Sequence, residues 1–256
     1  MKDGANGNFL ENENSTHFGY KFIETSEKKM LVSKVFDSVA DQYDLMNDLM
    51  SLGLHRLWKK FLISKANIRP GMKILDIAGG TGDLARMFID KHIKNVEIWL
   101  TDINIDMLNV GYDRLINSGY ILPIVACDAE SLPFASSYFD RISVSFGLRN
   151  MTNKMQAMSE MRRVLKPGGK LLILEFSQII EPLRFLYDYY SFKFLPWLGN
   201  KITGDGDSYR YLVESIRMHP KQDVLAQMMI DSGFRKVKFS NLNAGIVALH
   251  EGIKID

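Results

Sequence analysis

Gly79, Gly80 and Gly82 stand inside the run Leu75-Asp76-Ile77-Ala78-Gly79-Gly80-Thr81-Gly82-Asp83, and Asp102 follows 20 positions after the last of them. Glycines at such a turn let the chain bend tightly and let a ligand approach the backbone. A carboxylate at that spacing, at the end of the next strand, can take the paired hydroxyls of a ribose. Thr81 and Asp83 break the full G-x-G-x-x-G pattern, and Asp83 would repel a pyrophosphate. These residues suit a nucleoside without phosphate, such as S-adenosylmethionine. The alternative is a plain glycine turn beside an unrelated surface Asp.

Two further groups fall at strand ends. Asp128 and Ala129 follow the apolar run Ile121 to Cys127, and a carboxylate there can accept from an adenine amino group; a turn-initiating Asp is the competing reading. The run Ser143-Val144-Ser145-Phe146-Gly147-Leu148-Arg149-Asn150 ends another strand at the same crevice. Arg149 stays protonated, so its use would be to stabilise a phenolate-like oxygen rather than to act as a base. The competing reading makes it a structural Arg paired with an acidic helix end.

The elements that must position these groups follow from periodicity. Residues 26–68 read as a helical preface, with Met30, Val35, Val39, Leu54, Leu57, Trp58, Phe61 and Leu62 as apolar stripes; its Tyr43-to-Trp58 stretch could form a lid carrying Tyr43 and His55. Strands are predicted at 73–77, 96–101, 121–126, 140–145 and 170–176, and helices at 83–91, 104–118 and 153–165. That alternation indicates a mostly parallel sheet covered on both faces. A helical insertion within 178–219 and a helix over 221–231 precede two last strands, 236–241 and 245–250, which could pair as a hairpin with an antiparallel last strand. The insertion holds an aromatic segment, Phe185 to Trp197, that could pack on the core, wall a long apolar ligand or touch a bilayer.

Composition narrows the classes. A chain of 256 residues fits one α/β domain with an added element. A net charge of +2 argues against a nucleic-acid surface. The single cysteine, Cys127, forbids an intrachain disulfide and reads as a small hydrophobe at a strand end. Residues 1–16 read as a disordered polar tail with no signal or transit character, and 17–256 as one domain. No window is long and apolar enough to span a membrane. The five histidines lack metal-ligand spacing, and no G-x-S-x-G elbow or Walker loop is present.

From about Thr16 to the C-terminus the chain resembles the ubiquinone/menaquinone biosynthesis C-methyltransferases of the UbiE type. The runs that carry the likeness are Tyr43 to Trp58, Leu75 to Asp83, Ser145 to Asn150, Arg163 to Ser177, Asp207 to Arg217, His219-Pro220 and Ala244 to His250. The resemblance implies a Rossmann-like class I methyltransferase fold, with a mostly parallel seven-stranded sheet, an antiparallel last strand, an N-terminal helical lid and a helical insertion. It implies S-adenosylmethionine at Gly79, Thr81, Asp102, Asp128, Ala129 and Ser145. Asp128 stands where many relatives would carry Asn.

The implied reaction methylates a ring carbon of a polyprenyl benzoquinol or a demethylmenaquinol. Arg149 and Asn150 are expected to hold the ring oxygen and Tyr43 to orient it. His55 and His219 are the candidate bases by chemistry, with a water-relayed proton loss as the alternative. A cytoplasmic protein, peripheral on the inner face of the membrane, is expected, and a homodimer or contacts with other quinone-biosynthesis enzymes are compatible with it. Two other readings compete: a methyltransferase for another small or lipid acceptor, and a non-catalytic cofactor-binding subunit of a biosynthetic complex.

Overall fold

The structure is a computed structural model that describes residues 15–39, 43–179, 201 and 206–256. Its first element is an antiparallel hairpin of β1 (Ser15–Phe18) and β2 (Lys21–Glu24). The hairpin takes in Ser15 and Thr16, which sequence reading had left in the tail. Gly19 makes its turn at φ +59°, and a side chain there would strike the Glu214 carboxylate. The helical preface divides into α1 (Thr25–Val39), α2 (Tyr43–Ser51) and α3 (His55–Ala66). Its stripes are partly displaced from expectation: Met30 and Leu57 are exposed, whereas Val32, Trp58 and Leu62 are buried.

The sheet strands are β3 (Lys73–Ile77), β4 (Glu97–Asp102), β5 (Ile124–Ala126), β6 (Phe139–Ser145), β7 (Leu165–Phe176), β8 (Arg235–Leu242) and β9 (Val247–Ile253), in spatial order β5-β4-β3-β6-β7-β9-β8. Neighbours from β5 to β7 run parallel, and β9 is antiparallel to both β7 and β8. The expected seven-stranded, mostly parallel sheet with an antiparallel last strand is what forms. β5 is shorter than the predicted 121–126. Pro123 has no N–H to give to a ladder, and its carbonyl instead accepts from Leu100 N at 3.0 Å.

Helices α4 (Asp83–Ile89), α5 (Ile105–Asn117), α6 (Lys154–Val164), α7 (Gly206–Met218) and α8 (Gln222–Asp231) complete the described elements. Alternation along the strands divides the core. Ile74, Leu100, Leu172 and Leu174 pack with α3, α4, α5 and α7, whereas Leu75, Ile77, Ile142 and Ile173 pack with α6 and α8. The chain leaves β3 for β4 and β5 on one side, then returns to β6 on the other. That reversal opens a crevice at the carboxyl ends of β3 and β6, where open α/β sheets bind ligands. The aromatic segment 185–197 lies outside the described residues.

Candidate active site

The crevice is marked by backbone strain on both walls. Ala78, just past β3, has φ +52°, and Phe146, just past β6, has φ +59°. Left-handed non-glycine residues are costly and persist where the surroundings hold them in place. Between the two walls, a side chain added at Gly147 would collide with Ala78 Cβ. The glycine run is equally constrained: a Cβ on Gly79 would strike Leu100 Cδ1 and lie 2.8 Å from Asp76 Oδ2, while Gly80 and Gly82 have φ of +53° and +75°.

Asp102 ends β4 facing this turn. Its carboxylate accepts from Gly80 N and Asn104 N, each at 2.9 Å. Burial raises its pKa above the ordinary value while these backbone donors pull it back. Each carboxylate oxygen keeps accepting capacity for further donors. After β5, Asp128 Oδ1 accepts from Glu130 N at 2.9 Å, and Oδ2 pairs with Lys29 Nζ at 2.5 Å. Asp102, Asp128 and Ala129 line one cleft together with Gly80 and Asn150. Cys127 lines it too, and burial pushes its thiol up to about 11, so it is no nucleophile at neutral pH.

The far wall of the cleft is α1, whose contribution the sequence reading missed. Val32 and Phe36, four residues apart, face inward, Lys29 bridges Asp128 and Glu130, and Asn104 Nδ2 donates to Asp37 Oδ1 at 2.6 Å. Lys28 of α1 and Lys154 of α6 both donate to Met151 O, at 3.4 and 3.2 Å, and burial with the nearby Lys154 charge pushes the Lys28 pKa down to about 8. An i, i+4 apolar pair on a helix was the available signal. It reads the same whether the helix packs on a core or over a ligand.

Three of the cofactor positions sit elsewhere. Gly79 shapes the turn without lining the cleft. Thr81 is buried and lines a second hollow on the far side of the loop, with Gly82, Asp83, Arg86 and Arg114. Ser145 ends β6 with its Oγ buried and without a hydrogen-bond partner.

On the acceptor side, Arg149 lies in a 3-10 turn (Leu148–Asn150) and is buried. Its Nη1 donates to Glu175 Oε1 at 2.8 Å and to the Phe146 carbonyl, its backbone N donates to Glu175 Oε2 at 3.2 Å, and its Nε has no partner. One guanidinium nitrogen, Nη1, is thus paired with a carboxylate, and that carboxylate belongs to the strand β7 rather than to an acidic helix end. Asn150 does line the cleft, and its Oδ1 accepts from Tyr211 Oη of α7 at 3.1 Å. Tyr211 stacks on Phe18 of β1 at 4.2 Å between ring centroids, and burial raises its phenol pKa, so it stays a donor. Tyr43 begins α2, and its side chain lies outside the described residues.

The two candidate bases part company. His55 Nε2 is 2.9 Å from Asp48 Oδ1, joining α2 to α3. Next to it, Lys59 pairs with Asp83 at 2.7 Å; burial alone would raise the Asp83 pKa, but Lys59 holds it below the ordinary value. His219 follows α7, buried, with neither ring nitrogen hydrogen-bonded.

Buried polar atoms are normally paired, so unpaired ones mark places a ligand or water completes. Asp76 Oδ2, Ser145 Oγ, Arg149 Nε, Thr152 Oγ1, Ser177 Oγ and both His219 nitrogens form such a set. They lie on β3 and β6, on the segments leaving β6 and β7, or just before α8. Asp76 is fully buried with its pKa raised to about 7, chiefly by burial. The cleft, with acids at Asp102 and Asp128 beside a bare glycine turn, suits a cationic nucleoside.

Among the described residues, no group of three or more His, Cys, Asp or Glu could hold a metal, and no helix is long and apolar enough to cross a membrane. The fold is shared with a SAM dependent methyltransferase from Aquifex aeolicus at a TM-score of 0.57, with 13% identity over 90% of this chain and 98% of that one. It is shared as well with Haemonchus contortus phosphoethanolamine N-methyltransferase 2 in complex with S-adenosyl-L-methionine, at a TM-score of 0.60, with 15% identity over 77% of this chain and 52% of that one. The sequence is 61% identical to a ubiquinone/menaquinone biosynthesis C-methyltransferase UbiE of Bordetella avium over 94% of both chains. It is 60% identical to the protein of that name from Laribacter hongkongensis, over 95% of this chain and 100% of the relative. The profile of the ubiE/COQ5 methyltransferase family matches residues 23–254, and the chain belongs to that family.

Proposed function

We infer that this protein is a methyltransferase that uses S-adenosylmethionine to methylate a ring carbon of a polyprenyl benzoquinol, a demethylmenaquinol or both, in ubiquinone/menaquinone biosynthesis. The observation that carries the reading is 61% identity along 94% of a C-methyltransferase so named, supported by Phe146, Gly147 and Asn150 of the Ser145-to-Asn150 run, which line the cleft. S-adenosylmethionine, when bound, supplies an electrophilic methyl on a sulfonium.

The chain's own residues supply placement and charge. Asp102 takes the ribose hydroxyls, Asp128 and Ala129 the adenine edge, and Ser145 Oγ and Asp76 the amino-acid end. Gly79 keeps the turn free of a side chain, and Thr81, its side chain turned away, serves through its main chain. A quinol carbon is a weak nucleophile until the adjacent hydroxyl loses its proton, so the enzyme must favour the phenolate and hold carbon in line with methyl and sulfur. Asn150 and the unpaired Arg149 Nε–H would hold that oxygen, with Tyr43 orienting the ring. Helix α1 keeps water out of the cleft.

The apolar tail of such a substrate gives the aromatic segment 185–197 a use as a wall or as a contact with the inner face of the membrane, and assigns the protein to the cytoplasmic side. The quinone pool of a deletion strain, read by mass spectrometry, tests the reaction. Quinones lacking one methyl group should accumulate, and labelled methyl should appear on carbon in vitro. An unchanged pool, or label on oxygen, refutes it.

A further inference from the structure

His219 sits between α7 and α8 and is 5% exposed with neither Nδ1 nor Nε2 hydrogen-bonded. The charged and titratable groups that act on it are Lys154 of α6, Arg149 of the 3-10 turn and His250 of β9. The carboxylates nearby are committed: Glu175 to Arg149, and Glu130 to Lys29. His250 is committed as well, with its Nε2 2.9 Å from Gln222 O, and His55 is bound to Asp48. Among these imidazoles His219 alone has both nitrogens open, and Arg149 Nε, Thr152 Oγ1 and Ser177 Oγ are likewise buried without partners. Helix α7, which leads into His219, also delivers Tyr211 to Asn150 on the cleft.

We propose that His219 accepts the proton of the acceptor's ring hydroxyl, while Arg149 and Asn150 hold the oxygen left behind. This assignment rests on the quinol reading above. Burial first, then the Lys154, Arg149 and His250 charges, hold the imidazole well below its ordinary pKa, so at neutral pH it is uncharged and has a lone pair to offer. The Lys154 and Arg149 cations favour a phenolate, and the transfer moves a proton without changing the net charge of the pocket. The O–H bond breaks toward His219, and the electron pair on oxygen passes into the ring. The ring carbon forms its bond to the methyl as the sulfur–methyl bond breaks, with that pair remaining on sulfur. The carbon then sheds its hydrogen as a proton to solvent, and His219 returns its proton to the oxygen, restoring the aromatic quinol.

The test is H219Q, with S-adenosylhomocysteine affinity as the control for folding. With affinity unchanged, kcat should fall by about 100-fold or more, the range of a lost general base. The residual rate should rise in proportion to hydroxide, and the deficit should shrink at least about tenfold on a ring-halogenated quinol with a more acidic hydroxyl. A loss of the same size at every pH and on both quinols, or no loss, overturns the assignment. If H219Q fails to fold, the wild-type pH profile decides. A single limb in kcat/KM below pH 6.5 supports His219, whereas a rate still climbing with hydroxide from about pH 7 to 9 overturns it. A wild-type protein inactive on either quinol would sink the quinol reading itself, a result distinct from all of these.

Discussion

Replacing Glu175 with Gln should destabilise this protein more than removing its partner Arg149. The pair is buried, with side chains 1% and 3% exposed and 2.8 Å between Oε1 and Nη1. Arg149 cannot shed its proton, so Glu175→Gln leaves a full positive charge in the interior. Both carboxylate oxygens are also in use: Oε1 accepts from Arg149 Nη1 and Phe176 N, and Oε2 from Arg149 N. Either orientation of a glutamine sets its NH2 against an N–H. Breaking a buried pair from one side costs about 3–5 kcal/mol. At about 2.1 cal/mol/K per residue the unfolding entropy of 256 residues is about 0.5 kcal/mol/K, so the melting temperature should drop by about 6–9 °C. Arg149→Met should cost less, because Glu175 keeps two backbone donors and can take up a proton. The double variant Arg149→Met/Glu175→Leu should recover most of the loss, since no buried charge remains. Calorimetric melting of the ligand-free proteins measures all three. A Glu175→Gln melt within about 1 °C of wild type, or Arg149→Met the worse of the two single variants, would refute this account of the pair. The double variant also separates stability from chemistry: folded but inactive, it assigns Arg149 a part in the reaction; folded and fully active, it leaves Arg149 structural.

Asp102→Ala should weaken S-adenosylhomocysteine binding by about 10- to 150-fold in titration calorimetry, the loss of hydrogen bonds to a charged acceptor worth about 1.5–3 kcal/mol; unchanged affinity would remove Asp102 from the ribose site. Asp76 makes a pH prediction. Its folded pKa of about 7 lies above the ordinary 3.8, so its contribution to stability is fully present below pH 3.8 and is lost as pH rises toward 7. Between about pH 5 and 7.5 that loss comes to roughly 2–3 kcal/mol, or about 5 °C. Asp76→Asn should abolish it, so the variant's melting advantage over the ligand-free wild type must widen across that window. A constant gap would show that Asp76 does not carry the dependence.

The legible part of this molecule was local. Leu75 to Asp83 reads as strand, glycine turn and helix because the apolar period changes from two to about 3.6 across Gly79–Gly82, and that change is what β3 and α4 realise. Asp102, Asp128 and Ala129 could be assigned to one cleft because parallel strands in an open sheet bring their carboxyl ends together. Where reading failed, geometry beyond the segment intervened. Met30 fits the helical period of α1 yet is exposed, since period alone does not choose between neighbouring stripes. Pro123 cut short a strand that the apolar run 121–126 had promised.

Sequence order and residue type were enough for the class of fold, the position of Asp102 at the cleft and the membership of a methyltransferase family. Those features are written in short spacings, and the likeness runs nearly the length of the chain. Tertiary structure alone decided the partners: Arg149 with Glu175, 26 residues away; Asn150 with Tyr211, 61 away; Asn104 with Asp37, 67 away. It also separated His219, open at both nitrogens, from His55, bound to Asp48. Periodicity says which side of an element is apolar. Which element lies against it, and hence what charge or donor a buried group meets, depends on how the sheet is wound and how α1 and α7 close over it.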